Sequence, residues 1–103
     1  MKHVLLSADG PIRIYSVPDE VAADLYEWAD RFLDWMQNAP EASCYRTVFP
    51  NGTIGLCFTE EDFIQYLNNV AFPEQPSSLL EELGWANPLH LDEPYRSYPR
   101  YNF

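Results

Sequence analysis

Basic residues are scarce in this chain. Six Lys and Arg stand against sixteen Asp and Glu, giving a formal net charge of −10 and a pI near 4.3. Direct binding to nucleic acid or to an anionic membrane is thereby disfavoured, because either polyanion repels such a chain. The natural complement is a basic partner. Cysteine is rarer still: Cys44 and Cys57 are the only two, which fits a reducing compartment better than a disulfide framework. There is no run of about 18 apolar residues, and the start shows no basic segment followed by an apolar one, so neither membrane spanning nor secretion is expected. The expected location is the cytoplasm.

Chemical signatures are missing as well. Ser7, His3, His90 and the two cysteines are joined by no local catalytic motif, so they are expected to be partly buried or surface polar groups. Cys44, Cys57, His3 and His90 lack the paired spacing of structural zinc ligands. Glu60, Glu61 and Asp62 lack the D-x-D-x-D-G spacing of a calcium loop. The expectation is a protein that is not an enzyme and uses no metal and no cofactor.

What is present points to a folded domain. Of 103 residues, 47% are apolar and 16% aromatic, too many for a disordered acidic chain. Residues 51–67, NGTIGLCFTEEDFIQYL, contain a hairpin turn, a strand, a helix cap and an amphipathic helix in succession. Asn51-Gly52 is a dipeptide suited to a two-residue type I′ turn, which would set Phe49 opposite Ile54 and Arg46 opposite Cys57. Cys44 would then lie diagonal to Cys57, with both thiols partly buried and unbridged. Ile54, Leu56 and Phe58 alternate along the strand. Thr59 and Asp62 occupy capping-box positions, Glu60, Glu61 and Asp62 complement the helix dipole, and Phe63, Ile64, Leu67, Val70 and Ala71 form the apolar stripe.

An earlier stretch follows the same plan. Residues 3–7 read as a strand, Asp9-Gly10 as a second hairpin dipeptide, and Ile12, Ile14 and Tyr15 as the returning strand. Val4, Leu5 and Leu6 are consecutive, which implies a central strand covered on both faces. Ser16 and Asp19 form a capping pattern for a helix over 17–38, with Pro18 in its first turn and Pro40 after its end. Its stripe is Val21, Leu25, Trp28, Phe32, Trp35 and Met36. Shifting the chain by 42 positions places Gly10 on Gly52, Ile12 on Ile54 and Leu25 on Leu67.

The expected fold is therefore α+β: a four-stranded antiparallel sheet from two ββα units, with both helices on one face. A third strand is expected over 42–49 and a short third helix over 78–83, docked through Leu79, Leu80, Leu83 and Trp85. Residues 1–85 are expected to form the domain, and 86–103 an extended tail rich in proline and tyrosine. The tail is neutral, with Asp92 and Glu93 against Arg96 and Arg100, so all the net charge lies in residues 1–85.

Within that region Glu20, Asp24, Glu27 and Asp34 follow one outer helix stripe, with Asp30 beside it and Arg31 placed to pair with Glu27. A solvated face explains such a stripe, and so does a docking surface. Duplex DNA carries one charge per roughly 1.7 Å of axis, whereas carboxylates on one helix are about 5–10 Å apart at a rise of about 1.5 Å per residue. Phosphate mimicry would need Glu60, Glu61 and Asp62 in addition.

The segments LLSADG, IYSVPD, CFTEEDFIQYLN, FPEQPSSL and LGW, taken in that order, resemble an uncharacterised family of small acidic proteins from gut Firmicutes and their mobile elements. The resemblance covers residues 4–85. It implies a bacterial cytoplasmic accessory protein, of the kind that includes antagonists of host defence such as anti-CRISPR proteins. The leading expectation is a non-enzymatic inhibitor whose acidic residues, Glu20, Asp24, Glu27, Asp30, Asp34, Glu60, Glu61 and Asp62, engage a basic, nucleic-acid-handling partner. The alternative is an adaptor or regulatory subunit that binds through apolar residues and the Tyr-rich tail.

Overall fold

The computed structural model describes residues 1–87 and 90–103 and has an α+β architecture. Strands β1 (Lys2–Ser7) and β2 (Ile12–Val17) form an antiparallel hairpin in which Leu6 lies opposite Arg13. Val4, Leu5 and Leu6 are all buried, because β1 is central in a four-stranded sheet covered on both faces. On one face Val4, Leu6, Tyr15 and Val17 join the main core with Phe32, Met36, Phe63 and Leu67. On the other, Leu5, Ile12, Ile14 and Leu91 form a smaller cluster covered by Leu83, Tyr95 and Tyr98.

The first helical region is divided. Helix α1 (Asp19–Ala23) ends at Asp24, whose backbone leaves the helical region at φ −144° and ψ 58°, and α2 (Leu25–Asn38) starts afresh. Ser16 is not the N-cap expected from the sequence. It pairs with His3 and Ser78 inside the sheet, so the strand continues to Val17 and Pro18 takes the cap position. Ala39 is extended before Pro40, as the preceding-proline clash requires, and α2 stops there. Helix α3 (Glu60–Tyr66) begins as expected, with Asp62 Oδ2 accepting the Thr59 N–H at 2.8 Å. It continues as a π turn over Leu67–Ala71, closed by the Phe72 N–H to the Leu67 carbonyl at 2.7 Å. This wider turn rotates Val70 out of the expected stripe and into solvent.

Both hairpins form, but neither has the two-residue turn. Asp9, and not Gly10, takes the positive φ, at 53°, in the loop that Pro11 closes. In the second, only Gly52 has positive φ, at 84°. Its N–H bonds the Phe49 carbonyl across Pro50 and Asn51, and the Phe49 N–H bonds the Thr53 carbonyl. The longer loop corrects the register: β3 (Arg46–Val48) meets β4 (Ile54–Leu56) with Arg46 opposite Leu56 and Val48 opposite Ile54. Cys44 and Cys57 are accordingly free and exposed, not partly buried.

The sheet is mixed, not antiparallel throughout, and it is not built from two ββα units. Strands β3 and β4 make a separate two-stranded sheet. Residues 40–45 coil into a 3₁₀ turn, and Arg46 Nη1 donates to the Met36 and Ala39 carbonyls at 2.9 and 2.8 Å, fastening this hairpin to the end of α2. The outer strands of the large sheet come from the C-terminal third. The short helix expected over 78–83 is instead β5 (Ser78–Gly84), an edge strand antiparallel to β2. Pairing with β2 overrides the helical preference of Leu and Glu, and Leu79, Leu80 and Trp85 are left exposed instead of docking on the core. The other edge is β6 (Arg100–Asn102), parallel to β1 with Leu5 opposite Arg100. The expected extended tail thus enters the sheet, and Tyr101 and Phe103 pack on the main core. Positions 88 and 89 of that tail lie outside the described residues.

Candidate functional site

The arginines decide which acids are neutralised within the fold. Arg13, on β2, reaches Glu60 at 3.3 Å, Glu61 at 2.9 Å and Glu82 at 3.8 Å. Glu60 is buried at the start of α3, whereas Glu61 is exposed. Beside this cluster the Tyr15 hydroxyl and Arg13 Nε are buried without a hydrogen-bond partner. Burial pushes the Tyr15 phenol above its usual value against the opposing effect of Arg13. Asp62 is held by the α3 cap, and Arg46 by the end of α2. The acids at the start of α3 are therefore tied into the fold.

The acids of the first helical region are placed differently. Glu20, Asp24, Glu27, Asp30 and Asp34 are all exposed. The break at Asp24 divides the expected stripe, leaving Glu20 on α1 and Glu27, Asp30 and Asp34 on α2. Arg31 binds Glu27 at 3.1 Å, with its guanidinium carbon 4.5 Å from the Trp28 ring centroid. Along the same helix, Asp30, Arg31, Asp34, Trp35 and Asn38 line, with Tyr66, an open groove of about 600 Å³. The Trp35 and Tyr66 rings lie 5.2 Å apart. Asn38 Nδ2 donates to the Asp34 carbonyl at 2.9 Å and to Asp34 Oδ1 at 3.0 Å, which fixes the carboxylate.

Aromatic and anionic side chains share the lining of the groove. Burial pushes the Tyr66 phenol up; Arg31 opposes this and Asp34 adds to it. On the other flank of Asp30, burial raises the Tyr101 phenol, with Asp30 reinforcing the rise. Both phenols stay neutral at physiological pH. Of the eight acids expected to bind a partner, the groove joins Asp30 and Asp34. Trp35 was assigned to the core stripe by its helical spacing, and nothing in the sequence singled out Tyr66 or Asn38 for the groove.

In a second hollow the polar groups answer one another. It has a volume of about 400 Å³ and includes Ser7, Arg100 and Asn102, but Asn102 Oδ1 accepts from the Ser7 hydroxyl and the Asp9 N–H, and its Nδ2 donates to Asp9. Among the described residues, no three His, Cys, Asp or Glu side chains converge so as to hold a metal ion. No helix of the described residues is long and apolar enough to cross a membrane. No family model, curated protein or solved structure matches the chain.

Proposed function

We propose that this chain is a non-enzymatic binding protein whose acidic α2 face docks on a basic, nucleic-acid-handling protein and blocks it, as an anti-defence inhibitor of the anti-CRISPR kind would. The observation that supports this reading is the distribution of compensated charge. Glu60, Glu61 and Asp62 are engaged within the fold, while Asp24, Asp30 and Asp34 lie exposed, the last two lining a groove with Trp35 and Tyr66. Such a surface suits a cationic patch, both for steering the encounter and for holding the docked complex. Its carboxylates belong to one helix and are too sparse to copy duplex phosphates, so a protein surface is the better match.

The test begins with affinity capture of the partner and continues with Asp24→Lys, Glu27→Lys and Asp34→Lys combined. These positions are exposed, so circular dichroism should show an unchanged fold, and binding should fall. A loss in the association rate assigns the charges to steering, and a loss in the dissociation rate to desolvated contacts. Undiminished binding at low and moderate salt would mean the face is merely solvated. The adaptor reading has its own support in the exposed Val48, Phe49 and Ile54 of the β3–β4 hairpin and Leu79, Leu80 and Trp85 around β5. Binding through those residues would be insensitive to salt.

A further inference from the structure

We infer that the groove beside α2 is an arginine-recognition subsite, taking the guanidinium of a partner's arginine over Trp35 and against Asp34, with Asp30 and Tyr66 as flanking acceptors. This rests on the acidic-face reading and specifies what that face recognises. The key is a comparison of two segments seven positions apart on α2. Glu27, Trp28 and Arg31 in the first correspond to Asp34, Trp35 and Asn38 in the second. In the first, Arg31 sits four residues after the acid and three after the tryptophan, the two spacings that meet on a helix surface. There it pairs with Glu27 at 3.1 Å and covers the Trp28 ring at 4.5 Å.

The second segment keeps the acid and the ring but has Asn38 in the arginine's place. Asn38 orients Asp34 without neutralising it, and Asp34 makes no ion pair among the described residues. This is also where the groove opens. Tyr66 lines the groove as well: only 8% of the residue is exposed, and its hydroxyl, which has no hydrogen-bond partner among the described residues, stays open to the groove and can accept from a ligand's donor. Arginine fits better than lysine because its planar guanidinium stacks on an indole while donating to carboxylate oxygens in the same plane. Arg31 also lines the groove, but its Nε is paired with Glu27 and its guanidinium lies over Trp28, so Asp34 is left to an incoming cation.

The experiment is an NMR titration of the full chain with tetra-arginine and tetra-lysine peptides of equal charge. With tetra-arginine, the Trp35 indole N–H and the Asn38 side-chain amide should shift and saturate at several-fold lower concentration than with tetra-lysine, and the Trp28 indole should stay in place. Tyr66→Phe should weaken tetra-arginine binding several-fold with an unchanged spectrum elsewhere. Asn38→Arg should abolish it by supplying the cation from within, at an exposed helix position that tolerates arginine. Equal affinity for the two peptides, or full binding by Asn38→Arg, overturns the subsite while leaving a charge-driven acidic face standing. No response to either peptide overturns the subsite too, and the fate of the acidic face is then read from the lysine triple variant with its captured partner.

Discussion

Replacing Arg13 with methionine would show how much of this fold depends on one cation. Arg13 is 25% exposed and Glu60 8%, and the guanidinium serves three carboxylates. Losing it leaves Glu60 buried with no positive partner, a change that costs about 3–5 kcal/mol when a pair is fully enclosed. Two features lessen the loss. Water reaches the exposed quarter of Arg13, and the first turn of α3 favours a carboxylate by about 0.3–1 kcal/mol. The bridges to Glu61 and Glu82 join acids that are at least half exposed and add under about 1 kcal/mol. Together these place Arg13→Met about 2–3 kcal/mol below the parent. Urea unfolding followed by circular dichroism should show a lower midpoint with an unchanged slope. Adding Glu60→Leu should restore most of the loss, since removing both members of a buried pair is often nearly neutral. A single variant within about 0.5 kcal/mol of the parent would refute the reasoning, because that is the range of an ordinary surface substitution.

Tyr15→Phe removes a buried hydroxyl that lies against Arg13 without a well-aligned hydrogen bond, and should leave stability at neutral pH within about 1 kcal/mol of the parent, measured by the same urea titration. Because the folded phenol titrates above its ordinary value of 10.0, the parent binds more protons folded than unfolded above that pH, so its stability should fall as alkalinity increases. The variant should fall less steeply, and equal slopes would count against the burial assigned to Tyr15. Phe63→Ala opens a fully buried position and should cost about 3–5 kcal/mol in thermal or urea unfolding. Gly52→Val forces a β-branched residue to a φ of 84° and should lower the melting temperature. Phe103→Ala, which removes ring contacts to Phe32, Phe58 and Phe63 at 5.1–6.1 Å, should cost about 2 kcal/mol; no change in melting temperature would mean that residue 103 is not part of the core.

The elements legible in the sequence are those whose instructions lie within a few residues of one another. The β1–β2 hairpin, the Thr59–Asp62 cap and the apolar face of α2 belong to this group. So does the central position of β1, declared by three adjacent apolar residues. The turn types were misread because prolines on either side of the glycine dipeptides altered which residue could take positive φ. β5 and β6 were missed for a different reason: each becomes a strand only by pairing with a partner far away in the chain. Ser78 meets Ser16 and Arg100 meets Leu5, and a short Leu/Glu or Arg/Tyr segment carries no local mark of such a meeting. At the candidate site the acids were visible from their spacing. Trp35 could not be told from a core residue by helical period alone, and the meaning of Asn38 emerged only with the groove beside it.

The parallel pairing of β1 with β6 also sets a schedule for the chain as it is made. β1 leaves the ribosome well before β6, because the residues that cover its free edge are residues 100–102, and the Phe103 N–H bonds the Ser7 carbonyl after them. At about 5–20 residues per second, β1 waits on the order of 5–20 s for that neighbour to be synthesised. During the wait an apolar strand has one open edge, the kind of surface that invites association between nascent chains. The acidic segment between the two strands is translated in the interval, so neighbouring nascent chains repel one another while the sheet is incomplete. The same negative charge that we propose engages a basic partner in the folded protein would thereby also guard its synthesis.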